Sequence, residues 1–212
     1  MAAKLKSFFS LSPVIGILTF VGLYLVATLY YPGGSQADLH SLGFSWANNY
    51  WCNLLNENAM NGMANPARPI AITAMIVLCL SLIIFWYYFP KQVGFEKAAR
   101  LAIQISAAVS MILVILIFTN LHDSLITAAS LIGIIPLTGT YLALYKLKWR
   151  WLFWLGIFNI VLIAVNNILY YGPDMKLYLP VVQKISFAAF LLWICLMNIK
   201  LYRIQLKDGH MV

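Results

Sequence analysis

Six stretches of about twenty residues, each almost free of charge, constrain this chain more than any other feature. They fall at 12–31, 69–89, 99–119, 124–145, 149–170 and 178–200. A hydrocarbon core of about 30 Å needs roughly 20 apolar residues to cross as a helix, because each residue rises only 1.5 Å. With 63% hydrophobic and 9% charged residues, the chain has too little polar surface for a water-soluble globule. The expected fold is all-α: a single polytopic membrane domain over 1–212 with six transmembrane helices. The lipid bilayer is its first partner.

Charge placement sharpens that reading. The net charge of +8 could suggest nucleic acid, but the basic residues hug span ends and do not form a patch on a soluble fold, so no nucleic-acid partner is expected. Lys4, Lys6, Lys91, Lys97, Arg100, Lys146, Lys148, Arg150, Lys200, Arg203 and Lys207 fall on the side of both termini. Only Arg68, Lys176 and Lys184 fall on the other. By the positive-inside rule both termini are cytoplasmic, and the long first loop faces outward. The start of the chain has Lys4 and Lys6 before an apolar run, as a signal peptide does. That run is too long, however, and no small-residue cleavage site follows. Pro13 suits a first helical turn.

The spans carry their own marks. The aromatic run FWYYFP ends the second span, and a Trp-rich belt begins the fifth. Ser106-Ala107-Ala108 suits close helix packing in the third. Pro136 must lose a backbone bond in the fourth, which predicts a bend near Ile132 to Pro136. Cys52, Cys79 and Cys195 are separated by depth, so they read as small apolar fillers and not as a disulfide framework.

The one long polar stretch is 31–68, with Asp38, His40, Asn48, Asn49, Cys52, Asn53, Asn56, Glu57, Asn58 and Asn65. Trp46, Tyr50, Trp51, Leu54 and Leu55 share one helical face, while Asn49, Asn53, Asn56 and Glu57 fall largely on the other. That spacing predicts a short amphipathic helix, capped by Ser45 and ended near Gly62. Such a helix can be a structural lid or a binding element. The candidate ligand-binding residues at this mouth are His40, Asn48, Asn49, Asn53, Arg68, His122, Asp123, Asn166 and Asn167. Asp174 and Lys184 lie on the same side. Lys184 is an ionisable group inside a span, and snorkelling outward accounts for it.

Catalytic motifs are missing. His40, His122 and Asp123 have the count for a zinc site with an open position, yet there is no HExxH pair, and His210 lies on the opposite side. The simpler reading has Asp123 capping the fourth span and Asn166 and Asn167 bonding between helices. No GxSxG-type elbow marks a hydrolase, and no paired histidines lie in the spans for haem. No catalytic residue, metal or cofactor is therefore assigned. Three functions stay open. The first is binding a lipid headgroup or small ligand at the outer mouth. A membrane-embedded lipid hydrolase or transferase with a His/Asp site is the second, and a small-molecule transporter built around Pro136 the third.

The pattern YPGG, then FSWANNYWCNLL, then NGMANPARPIA, with His122-Asp123 opening the fourth span, resembles the bacterial membrane family called domain of unknown function 998. That family is distantly similar to the DRAM and Sfk proteins. The resemblance spans most of the chain and implies six helices, cytoplasmic termini and a long first outer loop. It carries no established activity. The family's Ser-Asp-Leu-Gly-like box falls on Cys52-Asn53-Leu54-Leu55 here, which lacks the acid.

Overall fold

Every long helix begins or ends where the apolar runs meet charge, proline or glycine. The computed structural model describes residues 11–119, 121–172 and 175–208. It contains α1 (Ser12–Leu29), α2 (Arg68–Gln92), α3 (Lys97–Ile115), α4 (His122–Lys146), α5 (Arg150–Tyr171) and α6 (Leu179–Asp208). All six are long and apolar enough to cross a membrane, α3 together with the 3-10 turn Leu116–Phe118 that follows it. The protein is thus a six-helix, all-α membrane protein. Lys4, Lys6, Asn120, Pro173, Asp174 and His210 lie outside the described residues.

One expectation about α4 changes. Leu121, not Asp123, occupies the N-cap position; Asp123 sits inside the first turn, where its charge meets the positive end of the helix. The helix also continues through Pro136 without interruption. Pro136 has no N–H to donate, but its carbonyl is used: Thr140 Oγ1 donates to it at 2.8 Å.

The chain forms two compact units. The first comprises Met1–Thr19, Ile76–Trp154 and Trp193–Val212. Lipid is as apolar as leucine, so helices here gain little from simple hydrophobic burial. Close packing and hydrogen bonds between helices hold them instead. Ser106, Ala107 and Ser110 form the buried stripe of α3, and Ser110 Oγ donates to the Ala129 carbonyl of α4 at 2.7 Å. Trp86 Nε1 donates to Thr140 Oγ1 at 3.2 Å, joining α2 to α4. Trp193 is fully buried, donates to the Leu152 carbonyl at 2.8 Å, and stacks at 5.3 Å on Tyr141. Each such bond contributes about 0.6 kcal/mol on average, so the network works by number and geometry.

The second unit comprises Phe20–Met75 and Leu155–Leu192. It holds the whole of the long first loop, together with parts of α1, α2, α5 and α6.

Candidate functional site

A loop of this length has an accounting problem: its backbone N–H and C=O groups have no helix to pair within. Each one buried unpaired would cost about 1–3 kcal/mol. The sequence solves this with turns and asparagines. Pro32-Gly33-Gly34 starts a narrow hairpin in which Gly34 N donates to Ser41 O at 2.7 Å and Gly43 N to Pro32 O at 3.3 Å. Gly34 has φ +79°, and a Cβ there would lie 2.3 Å from Asn61 N, so only glycine fits. A second hairpin pairs Ala59 N with Met63 O at 2.8 Å and Asn65 N with Glu57 O at 3.0 Å.

The expected amphipathic helix is replaced by a single turn over Ser45–Asn49 and a five-residue 3-10 helix, Trp51–Leu55. Ser45 does act as a cap, its hydroxyl accepting from Asn48 N at 3.3 Å. The facing is what differs. Leu54 and Leu55 are buried as expected, but Asn49 and Asn53 are buried too, at 0% and 3% exposure, while Trp46 is 48% exposed. The asparagines turn inward because their amides imitate backbone. Asn49 Oδ1 accepts from Ser45 N at 2.8 Å and its Nδ2 donates to Gly34 O at 2.8 Å. Asn53 Oδ1 accepts from Tyr50 N at 2.6 Å. These bonds close turns that a helix would have closed by itself.

Asn65 is the hub that sequence reasoning missed. Its Nδ2 faces the carbonyls of Asn53, Leu54 and Asn56 at 3.2, 3.2 and 3.0 Å, and its Oδ1 accepts from Ala67 N at 3.1 Å. One side chain thus gathers the end of the 3-10 helix and starts α2. The Asn-Pro pair just before a span was the available signal, since Asn before a helix caps it.

An aromatic cluster lies under these turns. Trp51 meets Tyr24 at 4.8 Å and Trp46 at 5.7 Å, and Phe44 meets Tyr31 at 5.7 Å. Tyr31 Oη accepts from Met60 N at 2.9 Å. Lys184 rises from α6 into this cluster. Its Nζ donates to the carbonyls of Asn49 and of Pro180, the latter at 2.8 Å, and stands 5.7 Å from the Phe44 ring. It does snorkel, and the loop receives it. Next to it, Gln183 Oε1 accepts from Trp51 N at 3.2 Å.

Each of the remaining expected residues sits in its own local setting. His40 is exposed, and its N–H closes a turn on Asp38 Oδ1 at 2.8 Å. Asn48 is half-buried. Arg68 opens α2, is half-buried, and faces the exposed Glu57 at 4.0 Å, a pair of small energetic weight. Asn166 bridges helices by donating to Ser186 Oγ of α6 as well as to Leu162 O, whereas Asn167 is exposed and donates to Ile163 O of its own helix. His122 and Asp123 belong to the first unit, and the His122 side chain lies outside the described residues. Among the described residues no three His, Cys, Asp or Glu side chains form a metal-binding group.

What the second unit does contain is an open cleft of about 800 Å³, lined by Gln36, Tyr50, Tyr170, Tyr171, Lys176 and Leu177. Three tyrosines supply ring faces and hydroxyls, Gln36 an amide, and Lys176 a charge 5.5 Å from the Tyr170 ring. Burial, with Cys52 and Tyr170 nearby, pushes the Tyr50 hydroxyl above its ordinary pKa, so it stays a neutral donor. Apolar faces ringed by a few polar groups are the usual makeup of a small-molecule or headgroup site. Local sequence pattern places Tyr170 at the interfacial end of the fifth span and Tyr171 in the turn that follows it. Their convergence with Gln36 and Tyr50 is a long-range fact that no local spacing carries.

No family model, curated protein or solved structure matches the chain.

Proposed function

We propose that this is an integral membrane protein that holds a lipid headgroup or small ligand at its outer mouth, in the cleft of Gln36, Tyr50, Tyr170, Tyr171 and Lys176. The observation that carries the reading is that cleft, beside a loop whose buried asparagines are already spent on folding. Asn49, Asn53 and Asn65 hold the loop's shape, leaving tyrosine hydroxyls and one lysine to face a ligand. Ring faces stack on a sugar or glycerol unit, and Lys176 attracts a phosphate.

The bias of basic residues toward the side of the termini supports placing both termini in the cytoplasm and the loop outside. The resemblance to the bacterial family supports an inner-membrane location. An engineered Leu42→Cys tests the orientation, because Leu42 is 95% exposed. In intact cells without an outer barrier it should react with an impermeant maleimide, while a tag after Val212 stays protected; the reverse pattern defeats the placement.

The ligand reading is tested on purified protein by native mass spectrometry of what co-purifies. Wild type should retain a lipid or small molecule that a Tyr50→Ala/Tyr170→Ala variant loses at least tenfold, with unchanged helical content. Equal retention by both proteins would remove the cleft from consideration.

A further inference from the structure

The turn between α4 and α5, in the first unit, is unlike the stapled loop. Three residues, Leu147 to Trp149, separate the two helices. The turn closes through backbone alone: Leu147 N donates to Ala143 O at 2.9 Å, Lys148 N to Tyr145 O at 3.1 Å, and Trp149 N to Leu144 O at 3.0 Å. Lys148 takes φ +55°, the left-handed conformation that usually falls to glycine at a helix end, and it is the one described non-glycine residue to do so. Beside this turn is an open groove of about 500 Å³, lined by Tyr145, Lys146, Lys148, Arg150, Phe153 and Trp154.

Three cations within five residues line the groove, and no acidic side chain does. None of the three forms an ion pair with a described residue, whereas Arg68–Glu57, in the other unit, does. The positive end of α5, which begins at Arg150, adds to the same field. The aromatics define the depth. Tyr145 and Trp154 are 72% and 66% exposed at the ends of two spans, the position of rings that sit among lipid headgroups. Phe153 packs against both, at 6.0 Å from each ring. Nearby Trp149 is held from α6 by Lys200, 4.5 Å over its ring.

We propose that this groove seats the headgroup of an anionic phospholipid. Lys146, Lys148 and Arg150 take the phosphate, the rings of Tyr145, Phe153 and Trp154 line the glycerol level, and the acyl chains follow the exposed apolar faces of α4 and α5. Basic pockets at span ends bordered by interfacial aromatics select anionic over zwitterionic headgroups. Bidentate contact with Arg150 distinguishes a seated phosphate from diffuse attraction to a charged surface. The occupant follows from charge complementarity and from the groove's place at the span ends.

The experiment uses full-length protein in phosphatidylcholine nanodiscs, with and without a fraction of phosphatidylglycerol, and follows thermal unfolding. Wild type should gain several degrees from phosphatidylglycerol. Lys146→Gln/Arg150→Gln should lose most of that gain, and Lys91→Gln/Lys97→Gln, which removes the same charge from another connection, should keep it. Lys148→Gly guards against a folding artefact. It removes one groove charge while placing glycine where the backbone already suits it, so it should fold well and still lose part of the gain. A gain lost equally in the Lys91/Lys97 variant means bulk electrostatics and overturns the proposal. So does an undiminished gain in Lys148→Gly, or an equal gain from inorganic phosphate alone.

Discussion

The first loop and the α4–α5 turn solve the same problem at opposite scales. Between α1 and α2 the backbone leaves the α-helical path for nearly forty residues, and the chain must import partners for many of its N–H and C=O groups. Asn49, Asn53 and Asn65 supply them from inside, where they are shielded from water. Between α4 and α5 only three residues leave the helical path, and the ends of the helices satisfy one another through backbone bonds once Lys148 accepts a left-handed conformation. The buried asparagines of the loop are consumed by folding, whereas the cations of the turn are left available. Counting polar residues is therefore a poor guide to which side chains stay free of the fold. The density of asparagine marks where structure is made, and the binding candidates are groups that structure does not use.

The comparison breaks most sharply at Gly34. Gly34→Ala places a Cβ within 2.3 Å of Asn61 N and 2.6 Å of the Met60 carbonyl carbon, at a φ that L-residues avoid. Combined strain and overpacking should cost about 3–5 kcal/mol, enough to prevent purification or to lower the melting temperature severely. A variant that melts like wild type would mean the hairpin is not what holds the loop.

Asn65→Ala comes next. It leaves the carbonyls of Asn53, Leu54 and Asn56 and the N–H of Ala67 without their partner, a loss of about 2–4 kcal/mol. Limited proteolysis should nick the variant within 51–66 while the helices stay protected. Asn65→Asp keeps the acceptor for Ala67 N but no donor, so it should recover only part of the loss.

On the other side of the comparison, Lys148→Gly should stabilise by about 1 kcal/mol, because glycine takes positive φ without the Cβ penalty. Chemical unfolding in detergent measures it. A destabilisation would show that the Lys148 side chain is itself part of the turn's structure.

The smallest effect is confined to alkaline pH. Burial pushes the Cys52 thiol above its ordinary value of 9, with the Cys52 backbone N–H and Lys184 pulling weakly the other way, and burial likewise raises Tyr31 above 10. The neutral forms are thus favoured in the folded state. Their stability contribution is complete below the unfolded values and declines as pH rises toward the folded ones. Unfolding should grow easier above pH 9, and Cys52→Ala should flatten the first part of that decline. A thiol-labelling rate in native protein equal to that of a free thiol at pH 8 would contradict the burial.

Much of this was legible beforehand, and the division is physical. The six spans follow from composition over twenty-residue windows, where the need to bury or lipid-solvate apolar groups overrides local detail. Pro13, Ser45 and the buried Ser106-Ala107 stripe follow from single-residue rules and hold. The facing of Asn49 and Asn53 did not follow. Periodicity assumes a continuous helix with water on its polar side, and here the segment is one turn and a 3-10 helix whose amides bond to backbone. The cleft was out of reach for another reason: Gln36, Tyr50 and Tyr170 share no local pattern, and only the tertiary path brings them together.

The stapled loop has a practical corollary for anyone wishing to see or steer the molecule. A segment locked by its own buried amides presents a shaped epitope, not a floppy peptide. The tip around Leu42 and the Met63 bend protrude from it, 95% and 60% exposed. Antibody fragments raised against folded protein should recognise that surface and ignore the same residues as a linear peptide. They would also serve as rigid fiducials on a membrane protein whose mass lies mostly in its spans.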